Sequence, residues 1–399
     1  RVLRRIVMIF SYGIPFLILG FLALLQFKSI FLKLILLIFL YPLITMYLFC
    51  IEVPLGGSID YIGRTVYESF SKEAFSYAII GYFTFVAVIW SLRKKYFSFN
   101  RIEFSETLRA FISIVLVIVS ILAYPKAFGI GSERWNLIAG PWLVISIALN
   151  AILIVSFQKF KSVASVLQIL LAVLLLVGGE RVNSLVVFLM FFMLYGSQGL
   201  ERVKEKKVGV AFVLAATIIV ILGVGAHYWR NGDELNAILL YKNIISSATV
   251  GDVTHVYFTS FSYLNDYGID LRPVLNEIGS MFYIPKIGGT GNQVAYNFTE
   301  ILRNHAHNAG GGLFYSEGVL VFGKIGVLIY ACVYGAIVRF LFNNKHSIVT
   351  LTSIIFFILQ FRIQWYGIMY VYMPIWFGIV ALKFFEIIKN RENTIELIE

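Results

Sequence analysis

This sequence predicts an all-α fold, a polytopic integral membrane bundle of about eleven spans, with one large extramembrane loop of partly helical structure. Three observations carry that expectation. The chain is 59% hydrophobic and only 14% charged, with a mean hydropathy of +0.83, outside the range of water-soluble globular chains. Apolar runs of about 20 residues recur along its length, enough to cross a bilayer as helix. Strand-like alternation is missing, which argues against a β-barrel.

The expected spans lie near 6–25, 30–50, 75–92, 108–128, 137–157, 162–179, 182–198, 208–226, 325–342, 347–361 and 366–385. Backbone amides inside hydrocarbon must pair within their own segment, so each run is expected as a helix. No fixed-period repeat and no low-complexity linker divides the 399 residues, so one membrane domain over 1–399 is expected. The large loop, 226–312, is inserted between spans. Cys50 and Cys332 both sit inside apolar runs, so no disulfide framework is read from them.

Orientation follows from the lysines and arginines. The run Leu92–Arg101, Lys159 with Lys161, Glu201–Lys207, Lys345, and the late Lys383, Lys389 and Arg391 are all placed on the cytoplasmic side. That puts 51–74, the turn Gly178–Ser184, the 226–312 loop and the turn holding Arg362 on the outer face. The net charge of +11 is then mostly a positive-inside signature with some attraction to anionic lipid, and no nucleic-acid partner is needed to explain it. Arg1, Arg4, Arg5 and Lys28 do not fit the alternation, so the first two spans are left unoriented. The chain opens on Arg1 and not on Met, so further residues upstream are expected, and the first run is not read as a cleaved signal peptide.

Between Ala226 and Gly312 the chain stops being oily. Four of its five histidines lie here (His227, His255, His305, His307), with Asp233, Asp252, Asp266 and Asp270 and the basic Arg230, Lys242, Arg272, Lys286 and Arg303. Tyrosines and asparagines are interleaved through it, as at Tyr263, Asn265 and Tyr267; rings pack on sugar C–H faces and amides bond hydroxyls, and the same residues suit an interfacial belt. The turn Pro285–Gln293 is Gly-rich, but no Gly-Lys-Ser/Thr follows, so it is not a phosphate-cradling P-loop.

Several positions carry candidate chemistry. Arg181 joins two apolar runs so closely that it lies at the membrane surface, where an arginine needs a partner: Glu180, water reached by snorkelling, or an anion such as phosphate. Arg362, with Gln364, repeats the pattern in the last hairpin, with a structural salt bridge as the alternative. His305 and His307, two apart, read as a general acid or base, as ordinary hydrogen-bonding side chains or, more weakly, as metal ligands; His-x-His without a nearby Cys or an H-E-x-x-H pattern is a poor metal signal. Beyond Gly310–Gly312, the stretch Leu313–Phe322 is expected as an interfacial helix carrying Glu317. The sequence Phe322–Gly326 should break it, because one straight helix over 313–342 would place Lys324 deep in the bilayer.

With these residues in view the chain resembles bacterial O-antigen polymerases and ligases, within the wider type-C group of lipid-linked sugar transferases. The likeness covers the arrangement of 160–385 and rests on short motifs. They are an outer-face turn with Arg181, a large late loop, His307-Asn308 followed after nine residues by Gly318, the Phe322–Gly326 entry to a span, and Arg362 opening the last hairpin. Val321 stands where the ligase pattern has Gly, Thr or Tyr, so polymerase is preferred to ligase; the turn before Arg181 also lacks the expected small residue.

The resemblance implies polymerisation of undecaprenyl-pyrophosphate-linked oligosaccharide repeats at the periplasmic face of a bacterial inner membrane. Donor and acceptor are both lipid-linked glycans, and a chain-length regulator is the implied partner protein. His307 is then the base or acceptor-orienting group, with Glu317 as the rival base. Arg181 and Arg362 hold pyrophosphate, joined by Arg230, Arg303 and Lys324, while His305 and Asn308 contact substrate. Arginines supply the positive charge, so neither metal nor other cofactor is implied. Two other readings stay open: a lipid-linked oligosaccharide flippase, disfavoured because no repeat is visible and the polar residues gather at one face, and an acyltransferase, for which His346 is a poor candidate.

Overall fold

The computed structural model of the chain describes residues 2–51, 70–97, 102–124, 141–156, 163–177, 181–199, 248–282, 298–305 and 312–396. Among these residues all regular structure is helical. The helices are α1 (Val2–Gln26), α2 (Ile30–Cys50), α3 (Ser71–Ile89), α4 (Glu106–Ala123) and α5 (Trp142–Ser156). They continue as α6 (Val163–Val177), α7 (Arg181–Gly199), α8 (Ala248–Tyr267), α9 (Arg272–Phe282) and α10 (Phe298–His305). The last are α11 (Phe314–Phe322), α12 (Gly326–Asn343), α13 (Ser347–Ile358), α14 (Gln360–Tyr366) and α15 (Met369–Glu396).

Among the described residues, five stretches are long and apolar enough to cross a membrane: Ile30–Cys50, Ser71–Leu92, Glu106–Ala123, Phe314–Asn343 and Tyr370–Asn390. Helices also stand at the other expected span positions, except 208–226, which lies outside the described residues. On α4 the exposed side chains Phe111, Ile114, Ile118 and Ile121 follow a helical period on one face. An apolar stripe of that length belongs against lipid, not water.

The chain forms two compact units. The first comprises Arg1–Phe97, Asn236–Phe342 and Arg362–Tyr370; the second comprises Ser98–Leu235, Asn343–Phe361 and Val371–Glu399. In the second, α4 to α7 are pinned by buried polar groups. Ser120 and Ser146 meet through their hydroxyls at 3.3 Å, the Gln168 amide donates to Asn150, and Ser184 donates to the Ala172 carbonyl at 2.6 Å. In hydrocarbon such contacts align helices that gain nothing from exchanging lipid for leucine.

In the first unit, Phe39 of α2 is the centre of an aromatic cluster with Tyr82, Phe85, Phe314 and Tyr315, at centroid distances of 5.3–5.6 Å. The segment expected as a surface loop supplies much of this unit's interior. Helix α8 packs on α2, α3 and α11, and its residues from Val253 to Tyr263 are buried. Two of its hydroxyls bond to their own helix: Thr259 donates to the His255 carbonyl at 2.9 Å and Ser260 to that of Tyr257 at 2.6 Å. Tyr257 donates to the Ala74 carbonyl of α3 at 2.9 Å.

The break expected before the Phe322–Gly326 entry is present. A single 3-10 turn, Gly323–Ile325, separates α11 from α12, and Gly323 has φ +66°, a left-handed conformation that favours glycine. The chain bends so sharply that Gly318 meets Gly326 backbone to backbone: a Cβ on Gly326 would lie 1.8 Å from the Gly318 carbonyl oxygen. One expectation is corrected. Helix α11 is not an interfacial surface helix: Phe314 to Val321 are all buried, because α8, α9 and α10 pack over it.

Candidate functional site

The site is built around Glu317, in the first turn of α11. Its side chain is 2% exposed. Tyr330, one turn into α12, donates a hydrogen bond to the carboxylate, and Glu277 of α9 is its charged neighbour. The bend at Gly318 and Gly326 is what brings Tyr330 back to Glu317; along a straight helix residues 13 apart would be separated by roughly 20 Å.

The other carboxylate oxygen, Oε1, is buried and has no hydrogen-bond partner among the described residues. The hydroxyls of Tyr315 and Ser316 on α11, Thr254 Oγ1 on α8 and Asn276 Oδ1 on α9 are likewise buried without a partner among the described residues. Nearly all buried polar atoms in proteins are paired, so the unpaired carboxyl oxygen of Glu317 calls for a functional explanation. A buried carboxyl oriented by a tyrosine, with one oxygen open, has the makings of a general acid or base.

Next to it lies a charged network that fixes the α8–α9 corner to α11. Arg272 reaches both oxygens of Asp270, with its closest contact at 2.6 Å, and Tyr263 donates to Asp270 at 2.9 Å. The Asp270 amide donates to the Leu320 carbonyl at 2.8 Å. Burial works to raise the Asp270 pKa, but hydrogen bonds from Arg272 and Tyr263 outweigh it and hold the carboxyl below the usual carboxylate range.

A depressed folded pKa means the contribution to stability is present above the unfolded pKa and lost as pH falls through the folded one. Asp270→Asn is therefore expected to lower the unfolding midpoint at neutral pH, with the gap to wild type closing below about pH 4. Thermal unfolding in detergent between neutral and acidic pH checks this; a gap that does not change with pH assigns the effect to packing instead.

His305 ends α10 and is clasped against α8. Its Nε2 lies 3.4 Å from Asp266 and 3.3 Å from the Ser262 hydroxyl, and its ring sits edge-on to Tyr263 and Tyr267, both at 5.4 Å. Arg303 is exposed and faces Glu300 at 3.7 Å. Lys324, at the break, pairs with Glu73 of α3 at 2.6 Å. Arg362 lies over the ring of Tyr370 at 5.5 Å. The structure thus brings Glu317, His305 and Lys324 into one unit with Arg303 and Arg362, and each of the four basic side chains already faces a group of its own.

Arg181 opens α7 and belongs to the second unit. His307, Asn308 and Arg230 lie outside the described residues. Among the described residues no group of three or more His, Cys, Asp or Glu side chains is arranged to hold a metal ion.

No family model, curated protein or solved structure matches this chain.

Two residues escaped the sequence reading. Glu277 and Tyr330 carry no motif, and only the bend in one case and the packing of α9 in the other place them beside Glu317. For Glu277 a signal existed: Leu271, Val274, Leu275, Ile278, Met281 and Phe282 recur at helical spacing, which leaves Asn276 and Glu277 on the opposite face.

Proposed function

We propose that this protein is a metal-independent glycosyltransferase that polymerises undecaprenyl-pyrophosphate-linked oligosaccharide repeats, with Glu317 as the residue that accepts the acceptor's proton. The buried, half-satisfied carboxylate of Glu317 on an internal broken helix is the observation that carries this reading. The acceptor hydroxyl oxygen attacks the anomeric carbon of the donor sugar. The bond from that carbon to the pyrophosphate oxygen breaks, undecaprenyl pyrophosphate departs, and the hydroxyl proton passes to Glu317. Developing negative charge on the pyrophosphate is stabilised by guanidinium groups, for which Arg362 and Arg303, in the same compact unit as Glu317, are the candidates. His307 is the rival base.

On this reading the chain is a multi-pass protein of about eleven spans in a bacterial inner membrane, its α8–α11 region at the periplasmic face, working with a chain-length regulator. Reconstitution with lipid-linked repeat units is expected to give a ladder of longer glycans on the lipid carrier.

The break at Gly323 favours a second reading, since interrupted helices also mark transporters of lipid-linked substrates. Folded protein that makes no ladder but moves labelled lipid-linked oligosaccharide across vesicles would establish that reading and sink the first.

A further inference from the structure

We infer that α9 is an in-plane membrane helix: its outer face lies in the lipid interface, and the partner of this surface is the bilayer itself. The inference rests on membrane embedding of the chain and not on the chemistry at Glu317.

The helix is amphipathic with the opposite sense from one that covers a core in water. Leu271 (58% exposed), Leu275 (51%), Ile278 (43%) and Phe282 (59%), four, three and four residues apart, form its outer stripe, with Met281 beside them. Asn276, on the other side, is 2% exposed. A water-soluble protein buries the apolar side of such a helix and leaves the amide outside. Here the apolar side faces out, as lipid requires.

What occupies this face is indicated by continuity with a membrane-crossing stretch. Asp270 is hydrogen-bonded through its amide to Leu320, and it is flanked by the exposed Ile269 and Leu271. Phe322, two residues past Leu320, and Ile325 are exposed as well, and both belong to the apolar stretch Phe314–Asn343. The apolar surface of that stretch therefore runs onto α9 across the α8–α9 corner.

The corner is also prepared for a low-dielectric boundary. Asp270 and Arg272 neutralise each other in a two-pronged contact, and Tyr263 satisfies the carboxylate further. Tyr267, 68% exposed at the end of α8, is the kind of ring that settles among headgroups. No carboxylate stands on the stripe itself; Glu277, the only acid within α9, turns toward Glu317.

The test is site-directed spin labelling of the full chain in lipid nanodiscs, with Cys332 replaced by Ala and cysteines introduced singly at Leu275, Ile278 and Phe282. Asn265→Cys on the exposed side of α8 is the aqueous control. Labels on α9 should favour oxygen over a water-soluble nickel chelate and report depths of about 5–10 Å below the phosphates, while the control favours the chelate. Chelate access on α9 equal to the control would overturn the inference, because the stripe would then face water. Low access to both reagents would overturn it too, since the face would be covered by protein. Because the three positions are already exposed, labels there leave packing intact, and a wild-type elution profile confirms it for each.

Discussion

Glu317→Gln is expected to abolish glycan elongation, lowering the rate about 100- to 10,000-fold, the range over which a positioned general base contributes, while the protein remains folded. Glutamine keeps the shape of the side chain and can still accept from Tyr330, so the hydrogen bond that orients this position persists. What is lost is the capacity to take a proton. The substitution also removes a carboxyl set beside Glu277 in a buried place, so the unfolding midpoint should stay at or above that of wild type.

The experiment is a time course of ladder formation on reconstituted protein, with thermal unfolding of the same preparation. His307→Ala belongs in the same series. If Glu317 is the base, His307→Ala lowers the rate less than Glu317→Gln does. A normal ladder from Glu317→Gln removes Glu317 from the chemistry and passes the role to His307.

Helices, their positions and the break at Phe322–Gly326 were legible in the sequence because each depends on local free energy. An apolar run of about 20 residues has few alternatives to helix in lipid, and a lysine such as Lys324 is too costly to carry through the middle of a span. What the sequence hid depends on contacts between distant residues. His305 drew attention as reactive, yet it holds α10 to α8 through Asp266 and Ser262, which precede it by 39 and 43 positions. His255 and Thr254 read as loop residues because polarity is the usual sign of a loop. They are buried instead, in a helix where neighbouring hydroxyls bond to main-chain carbonyls one turn back.

Arg181 and Arg362 were paired by their resemblance to each other in local pattern, but they fall in different compact units. Lys324 was expected to hold pyrophosphate, and in the structure it pairs with Glu73. A local pattern identifies a residue as costly to bury; only the fold shows which group offsets that cost.

The largest effect on stability is expected at the α11–α12 bend, where two kinds of glycine requirement can be separated. Gly323 needs its left-handed φ but has open space around it, with the nearest atom to an added Cβ 3.9 Å away on Leu264. Gly323→Ala should therefore cost about 1–3 kcal/mol, the conformational penalty for an L-residue at φ +66° and ψ −161°. Gly326 has an ordinary helical backbone, but an added Cβ would lie 1.8 Å from the Gly318 carbonyl oxygen and 2.3 Å from its carbon. Those atoms are main chain and cannot rotate aside, so the two helices must separate.

Gly326→Ala should cost about 3 kcal/mol or more, the upper range of overpacking. The damage should extend to the site, because the same crossing carries Tyr330 to Glu317; a Cβ on Gly318 would likewise press on the Tyr330 ring at 2.9 Å. Unfolding midpoints of Gly323→Ala and Gly326→Ala in one detergent decide the matter. The second should fall below the first and lose elongation even below its midpoint, while Gly323→Ala keeps it. Equal midpoints would mean that the helices do not meet at Gly318 and Gly326, and the placement of Tyr330 against Glu317 would fail with them.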